Sequence, residues 1–143
     1  MRLLPLLAAT LLAAGCGGDD ENAAPPTTAT TAAAKSRCTP ATSDLMTPLA
    51  NKLLGGDIRL TNGWIVESRE HEDVYLVAAE VDGPGLERSG DVGVWATTSP
   101  YGAEAIYSVN ELAKEQTDWR DAAAIDVSQD REDVREARGC VLR

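Results

Sequence analysis

The chain has 143 residues and a formal net charge of −10, from 13 Lys and Arg against 23 Asp and Glu. That length suits one domain, and a hydrophobic content of 43% is enough to build its core. The acidic balance excludes a nucleic-acid binder, whose partner's phosphates demand a basic surface, and equally a polybasic grip on anionic lipid. Phe is absent and aromatics make up 4% of the chain, which excludes an aromatic base-stacking platform.

Met1 and Arg2 are followed by a mainly apolar run that ends in Leu11-Leu12-Ala13-Ala14-Gly15-Cys16. One positive charge, an apolar stretch shorter than the roughly 20 residues of a membrane span, then small residues, make the three-part layout of a secretory signal. Ala13-Ala14-Gly15-Cys16 resembles the lipobox of bacterial lipoproteins, departing from it in Ala13, where Leu is favoured; Leu12 stands one place earlier. The resemblance covers only this segment. It implies that a signal peptidase cuts between Gly15 and Cys16, and that Cys16 carries diacylglycerol and further acyl chains such as palmitate. It also implies an extracytoplasmic protein lipid-anchored to the cell membrane, with the bilayer as its partner, since two or more chains anchor stably where one holds marginally. An ordinary secretory signal cut after Ala14 or Gly15, or a buried apolar helix, is the other reading. Arg outnumbers Lys ten to three, and composition and layout together resemble the small exported lipoproteins of high-GC actinobacteria, a resemblance that carries no activity.

These signals divide the chain into a signal peptide at 1–15, lipidated Cys16 with a tether at 16–37, and one domain at 38–143. Within the tether, Pro25-Pro26-Thr27-Thr28 and the Ala and Thr that follow include no apolar side chain larger than Ala or Pro. Such a segment cannot offset its ordering entropy by burial, so it reads as a disordered spacer with a reach of roughly 25 Å. Its Thr residues either carry O-linked sugar or serve as plain spacer. Cys38 and Cys140 remain as a pair at the two ends of the domain. In an oxidising compartment they are expected to form a disulfide, with Cα atoms within roughly 7 Å.

The domain reads as a helix, four strands and further helices. Leu45, Leu49 and Leu53 recur every four residues beside Met46, Ala50 and Leu54, an apolar helix face that Gly55-Gly56 ends. The helix starts either at Ser43, with Pro48 inside it, or at Thr47, with Pro48 in its first turn. Ile58, Leu60, Trp64 and Val66 share one parity and predict one strand with one buried face, bent or bulged at Asn62-Gly63 rather than turned into a hairpin. After a polar turn at 69–73, residues 74–81 are apolar on both parities, the pattern of a central strand covered on both faces. A loop rich in breakers spans 82–91, a third strand 92–98, and a fourth 103–109. Short connections favour an antiparallel meander. Ser108 and Glu111 have capping-box spacing before a short helix at 110–116, and a last helix runs from about Ser128 to Arg138, stopped by Gly139. The expected fold is α+β: a four-stranded antiparallel meander with an N-terminal helix and C-terminal helices, its termini joined by the disulfide.

Glu70-His71-Glu72-Asp73 holds the only imidazole, but neighbours in an extended chain point apart and no HExxH-type spacing is present. Asp118, Asp121, Asp126, Asp130 and Asp133 lack the EF-hand order of ligands and suit helix starts and solubility. No G-x-S-x-G or phosphate-loop motif occurs. Neither metal nor cofactor is expected, and no catalytic residue is named. Trp64 and Trp95 read as core. Leu86 in the long loop, Tyr101 and Trp119 are the expected partner contacts. The expected function is therefore a non-enzymatic binding domain for an envelope protein or other envelope component. A small carboxylate-based or metal-dependent hydrolase around His71, and a small-ligand carrier, are the alternatives.

Overall fold

A computed structural model describes residues 37–86, 90–102 and 104–143. The signal peptide, Cys16 and all but the last residue of the expected tether lie outside the described residues. Six strands form one sheet in chain order: β1 (Thr39–Pro40), β2 (Arg59–Glu67), β3 (Tyr75–Asp82), β4 (Val92–Thr97), β5 (Ile106–Ser108) and β6 (Arg120–Asp121). Among the described residues three α-helices accompany it: α1 (Ser43–Ala50), α2 (Glu111–Gln116) and α3 (Glu132–Val141). The class is α+β as expected, but the sheet is six-stranded and mixed. The four central strands make the antiparallel meander, whereas β6 pairs parallel to β5. The chain passes through α2 between those two strands, and a crossover of this kind returns it in the same direction. Strands of two residues carry no periodicity, which is why β1 and β6 leave no trace in the sequence pattern.

Helices cover both faces of the sheet. On one, α3 contributes Val134, Ala137 and Val141 against Leu76, Ala78 and Val94. On the other, Leu45 and Leu49 of α1 and Ala113 of α2 close over Val77, Ala79 and Trp95. Alternating residues of β3 thus enter the two cores in turn, as the apolar run at 74–81 demands. Trp95 is fully buried and lies across Gly93, where an added Cβ would come within 2.3 Å of the ring. Its Nε1 donates to Thr117 Oγ1 at 3.2 Å.

The strand β2 is bulged, with a consequence for its buried face. Thr61 pairs with Glu80 but Trp64 with Ala78, so β2 carries one extra residue there. Asn62 takes it up with a φ of 50°, a left-handed conformation that Asn tolerates better than most side chains. One extra residue inverts side-chain parity. Ile58 and Leu60 therefore pack toward α1, while Trp64 and Val66 pack toward α3. The single buried face expected for this strand is corrected accordingly, and Trp64 is half-buried rather than enclosed. Asn62 Nδ2 donates to the carbonyl of Val141 at 3.0 Å and its Oδ1 accepts from Trp64 Nε1 at 2.8 Å, which ties the bulge to the end of α3.

The helix ends differ from expectation in three places. α1 begins at Ser43 with Pro48 inside and stops at Ala50, before Gly55-Gly56. The following residues leave the helix to pair with the segment after α2: Leu53 bridges Thr117, the Leu54 N–H donates to the Gln116 carbonyl at 2.9 Å, and the Leu54 side chain is 65% exposed. α2 is capped by Asn110, whose side chain accepts from the Ala113 N–H, because Ser108 is buried in β5 with its hydroxyl turned to Thr117. α3 starts at Glu132 and continues through Gly139 to Val141. Cys140 and Val141 are buried there, and the Cys38–Cys140 disulfide, with Cα atoms 5.8 Å apart, holds that last turn against the start of the domain.

Candidate functional site

The polar turn between β2 and β3 folds onto the start of α3. Asp133 is buried and accepts from Ser68 Oγ at 3.1 Å, the Arg69 N–H at 2.8 Å and Arg37 Nη2 at 3.3 Å. Arg37 also grips Glu136 with Nε at 3.2 Å and again through Nη2, and its Nη1 donates to the carbonyl of Glu67 at 2.7 Å. Arg69 adds a contact to Glu136 at 3.2 Å. Burial pushes the Asp133 carboxyl upward, but the hydrogen bonds from Arg69, Ser68 and Arg37 outweigh it and hold this group below the usual carboxylate range. The Arg37 guanidinium is raised, chiefly by its hydrogen bond to Glu136.

His71 lies beside this network. Its Nε2 is buried without a partner among the described residues, and Glu70 pairs with Arg131 instead of facing the imidazole. The cavity that His71, Ser68 and Asp133 share measures about 10 Å³, the room of a single water. These carboxylates fasten the turn to α3 and leave no substrate-sized space beside the imidazole. Among the described residues no group of three His, Cys, Asp or Glu side chains stands where it could hold a metal ion.

The three expected contact residues are not one patch. Leu86 and Trp119 are half-buried and pack against the core beneath α1 and α2. Lys52 Nζ sits 5.7 Å from the centre of the Trp119 ring, and the indole Nε1 is itself buried without a partner among the described residues. Tyr101 alone stands out, 79% exposed, at the rim of a groove of about 510 Å³ shared with Tyr75, Ile65, Pro40 and Pro100.

A second concavity, of about 480 Å³, opens where α3, the start of α2 and the start of β4 meet. Asn110 builds it. Its Oδ1 accepts from the Val94 N–H at 2.9 Å and its Nδ2 donates to the Val92 carbonyl at 2.8 Å, so the side chain pins the first turn of α2 to the backbone of β4. Buried Val92 and Val134 form the floor, with half-buried Leu112. α3 contributes Arg135 and Arg138 to the lining, the residue before β4 adds Asp91, and the first turn of α2 adds Glu111, which also pairs with Lys114 at 3.8 Å. Gln129 and Asp130 close the rim. Arg135 and Arg138 form no ion pair among the described residues, although carboxylates line the same cleft. Arg37, Arg69, Arg131 and Lys114 are all paired.

Sequence reasoning reached one edge of this cleft, because Gly90 and Asp91 close the long loop at 82–91 that carries the expected contact Leu86. Gly90 has a φ of +124°, open to glycine but to few other residues. The arginine pair was missed. Its signal is the three-residue spacing of Arg135 and Arg138, which sets both on one helix face. Among the described residues no helix is long and apolar enough to cross a membrane. No family model, no curated protein and no solved structure matches this chain.

Proposed function

We propose that the protein is a cell-envelope lipoprotein, anchored through acylated Cys16, whose domain is a non-enzymatic binding module that takes its ligand in the cleft between α2 and α3. One observation carries the reading of the domain: Arg135 and Arg138, without an ion pair among the described residues, line the same 480 Å³ space as Asp91 and Asp130, which likewise form none there, above an apolar floor. Concavities of about 300–1,000 Å³ with a few convergent polar groups are the usual form of a ligand site. The filled, ion-paired surroundings of His71 favour binding over hydrolysis, since acid–base chemistry needs a substrate within hydrogen-bond reach of the imidazole. The anchor rests on the run of small residues into Cys16 after a short apolar segment.

Two measurements test this reading. Cys16→Ala is expected to move the protein from the membrane to the soluble fraction, and unchanged membrane retention would refute the anchor. A photo-cross-linking residue placed at Leu112 in the full chain is expected to capture a cellular component in intact cells, whereas the same probe at exposed Leu54 does not. Equal capture, or none, at both positions refutes the cleft as the binding surface.

A further inference from the structure

We propose that the cleft binds a zwitterionic ligand, specifically the free carboxylate and free ammonium of a short peptide with small aliphatic side chains; this rests on the reading of the cleft as the binding surface. Arg135 and Arg138 present planar, permanently charged donors, and guanidinium is the side-chain group that pairs with a carboxylate in two parallel hydrogen bonds. Asp91 and Glu111 present acceptors suited to an ammonium. The two sets line one space without pairing to each other; Glu111 instead meets Lys114 of its own helix at 3.8 Å, and Asp91 forms no ion pair among the described residues. A simple anion would meet Asp91, Glu111 and Asp130 as well as the arginines, on a chain whose net charge is −10. A simple cation would meet the two guanidiniums. A ligand that carries both charges satisfies both sets. Half-buried Leu112, set over buried Val92 and Val134, offers contact to a methyl group.

The test is a titration of the full chain with the dipeptide Ala-Ala, followed by calorimetry and by the backbone amide resonances of Val92 and Leu112. N-acetyl-Ala-Ala and Ala-Ala amide serve as charge-blocked controls. Binding of Ala-Ala is expected, with each blocked peptide at least tenfold weaker. Arg135→Ala with Arg138→Ala is expected to weaken Ala-Ala at least tenfold and to abolish the difference between the acid and the amide. Both side chains are exposed and unpaired among the described residues, so the fold is expected to survive, as far-UV circular dichroism would check. Absence of Ala-Ala binding, or blocked peptides that bind as tightly as the free one, overturns the assignment. If the Leu112 cross-link persists in cells while Ala-Ala fails to bind, the ligand class is wrong and the binding-module reading stands. If both fail, both fall.

Discussion

The two faces of the sheet are closed by helices of opposite character. Beneath α1 and α2 lie two fully buried leucines, Leu45 and Leu49, and the whole of Trp95. Ser108 and Thr117 form a small hydroxyl cluster there: they lie 3.0 Å apart, and Thr117 also donates to the Ala113 carbonyl. Beneath α3 the helix offers only Val134, Ala137, Cys140 and Val141, while Glu132, Asp133, Arg135, Glu136 and Arg138 occupy the rest of its central turns. Val and Ala bury little area, on the order of 1–2 kcal/mol each. The α3 face carries two further fastenings, the Cys38–Cys140 bond and the Arg37–Asp133–Glu136 network, both reaching back to the first residues of the domain. Apolar volume secures one face, and covalent and ionic ties secure the other. The outer side of α3 is then left for Arg135 and Arg138 to line the cleft.

That contrast is breakable by experiment. Cys140→Ser should cost up to about 4.7 kcal/mol, the chain-entropy value for a loop of this length. Chemical denaturation with and without reductant checks it: reductant should lower the stability of the parent protein and leave Cys140→Ser unmoved. On the opposite face Leu49→Ala should cost about 3 kcal/mol through the cavity it leaves, and the loss should be the same in oxidised and reduced protein. A reductant-dependent Leu49→Ala effect would show that the two faces do not stabilise independently.

Asp133→Asn should cost about 2 kcal/mol, because the buried network loses its charge-assisted bonds while Arg37 keeps Glu136. The effect has a defined pH dependence. The folded carboxyl lies below its unfolded value, so its contribution is full above the unfolded pKa of about 4 and disappears as pH falls through the folded value. Thermal melts of parent and Asp133→Asn should therefore differ most at pH 6 and converge in strong acid. A gap that widens below pH 4 would reverse the assigned sign. The smallest effect is expected at Trp119, where Lys52→Ala should cost about 0.5 kcal/mol, the scale of an exposed cation–π contact. Equilibrium unfolding followed by Trp fluorescence would resolve it, and a loss of 2 kcal/mol or more would mean that Lys52 holds more than the ring.

Much of the fold was legible because it rests on local or countable properties. The run from Val74 to Val81, apolar on both parities, announces a strand with a core on each side, and the domain has only two cysteines to join. Asn62-Gly63 announces an irregularity. The change of face across it is invisible locally, since it follows from the pairing Trp64 makes with Ala78 and not from any residue in β2. The candidate site was legible only at Gly90 and Asp91. Arg135 and Arg138 read as ordinary solvated charge until Asn110 places the start of α2 beside them.

Sequence alone thus determined the α+β class, the order of the main elements, the pairing of Cys38 with Cys140 and the burial of Trp95. Hydrophobic period, breaker residues and cysteine parity act within a few residues or by simple count, and they read the same in any tertiary setting. Tertiary structure decided the edge strands β1 and β6, the parity change at Asn62, the end of α1 and the partners of Arg37. β1 and β6 are two-residue strands that exist only because β2 and β5 offer them free backbone groups. Arg37 meets Asp133 and Glu136 across separations of 96 and 99 residues, a distance over which no local pattern carries information. Such features belong to the contact between elements, and their free energy arises only once the elements have met.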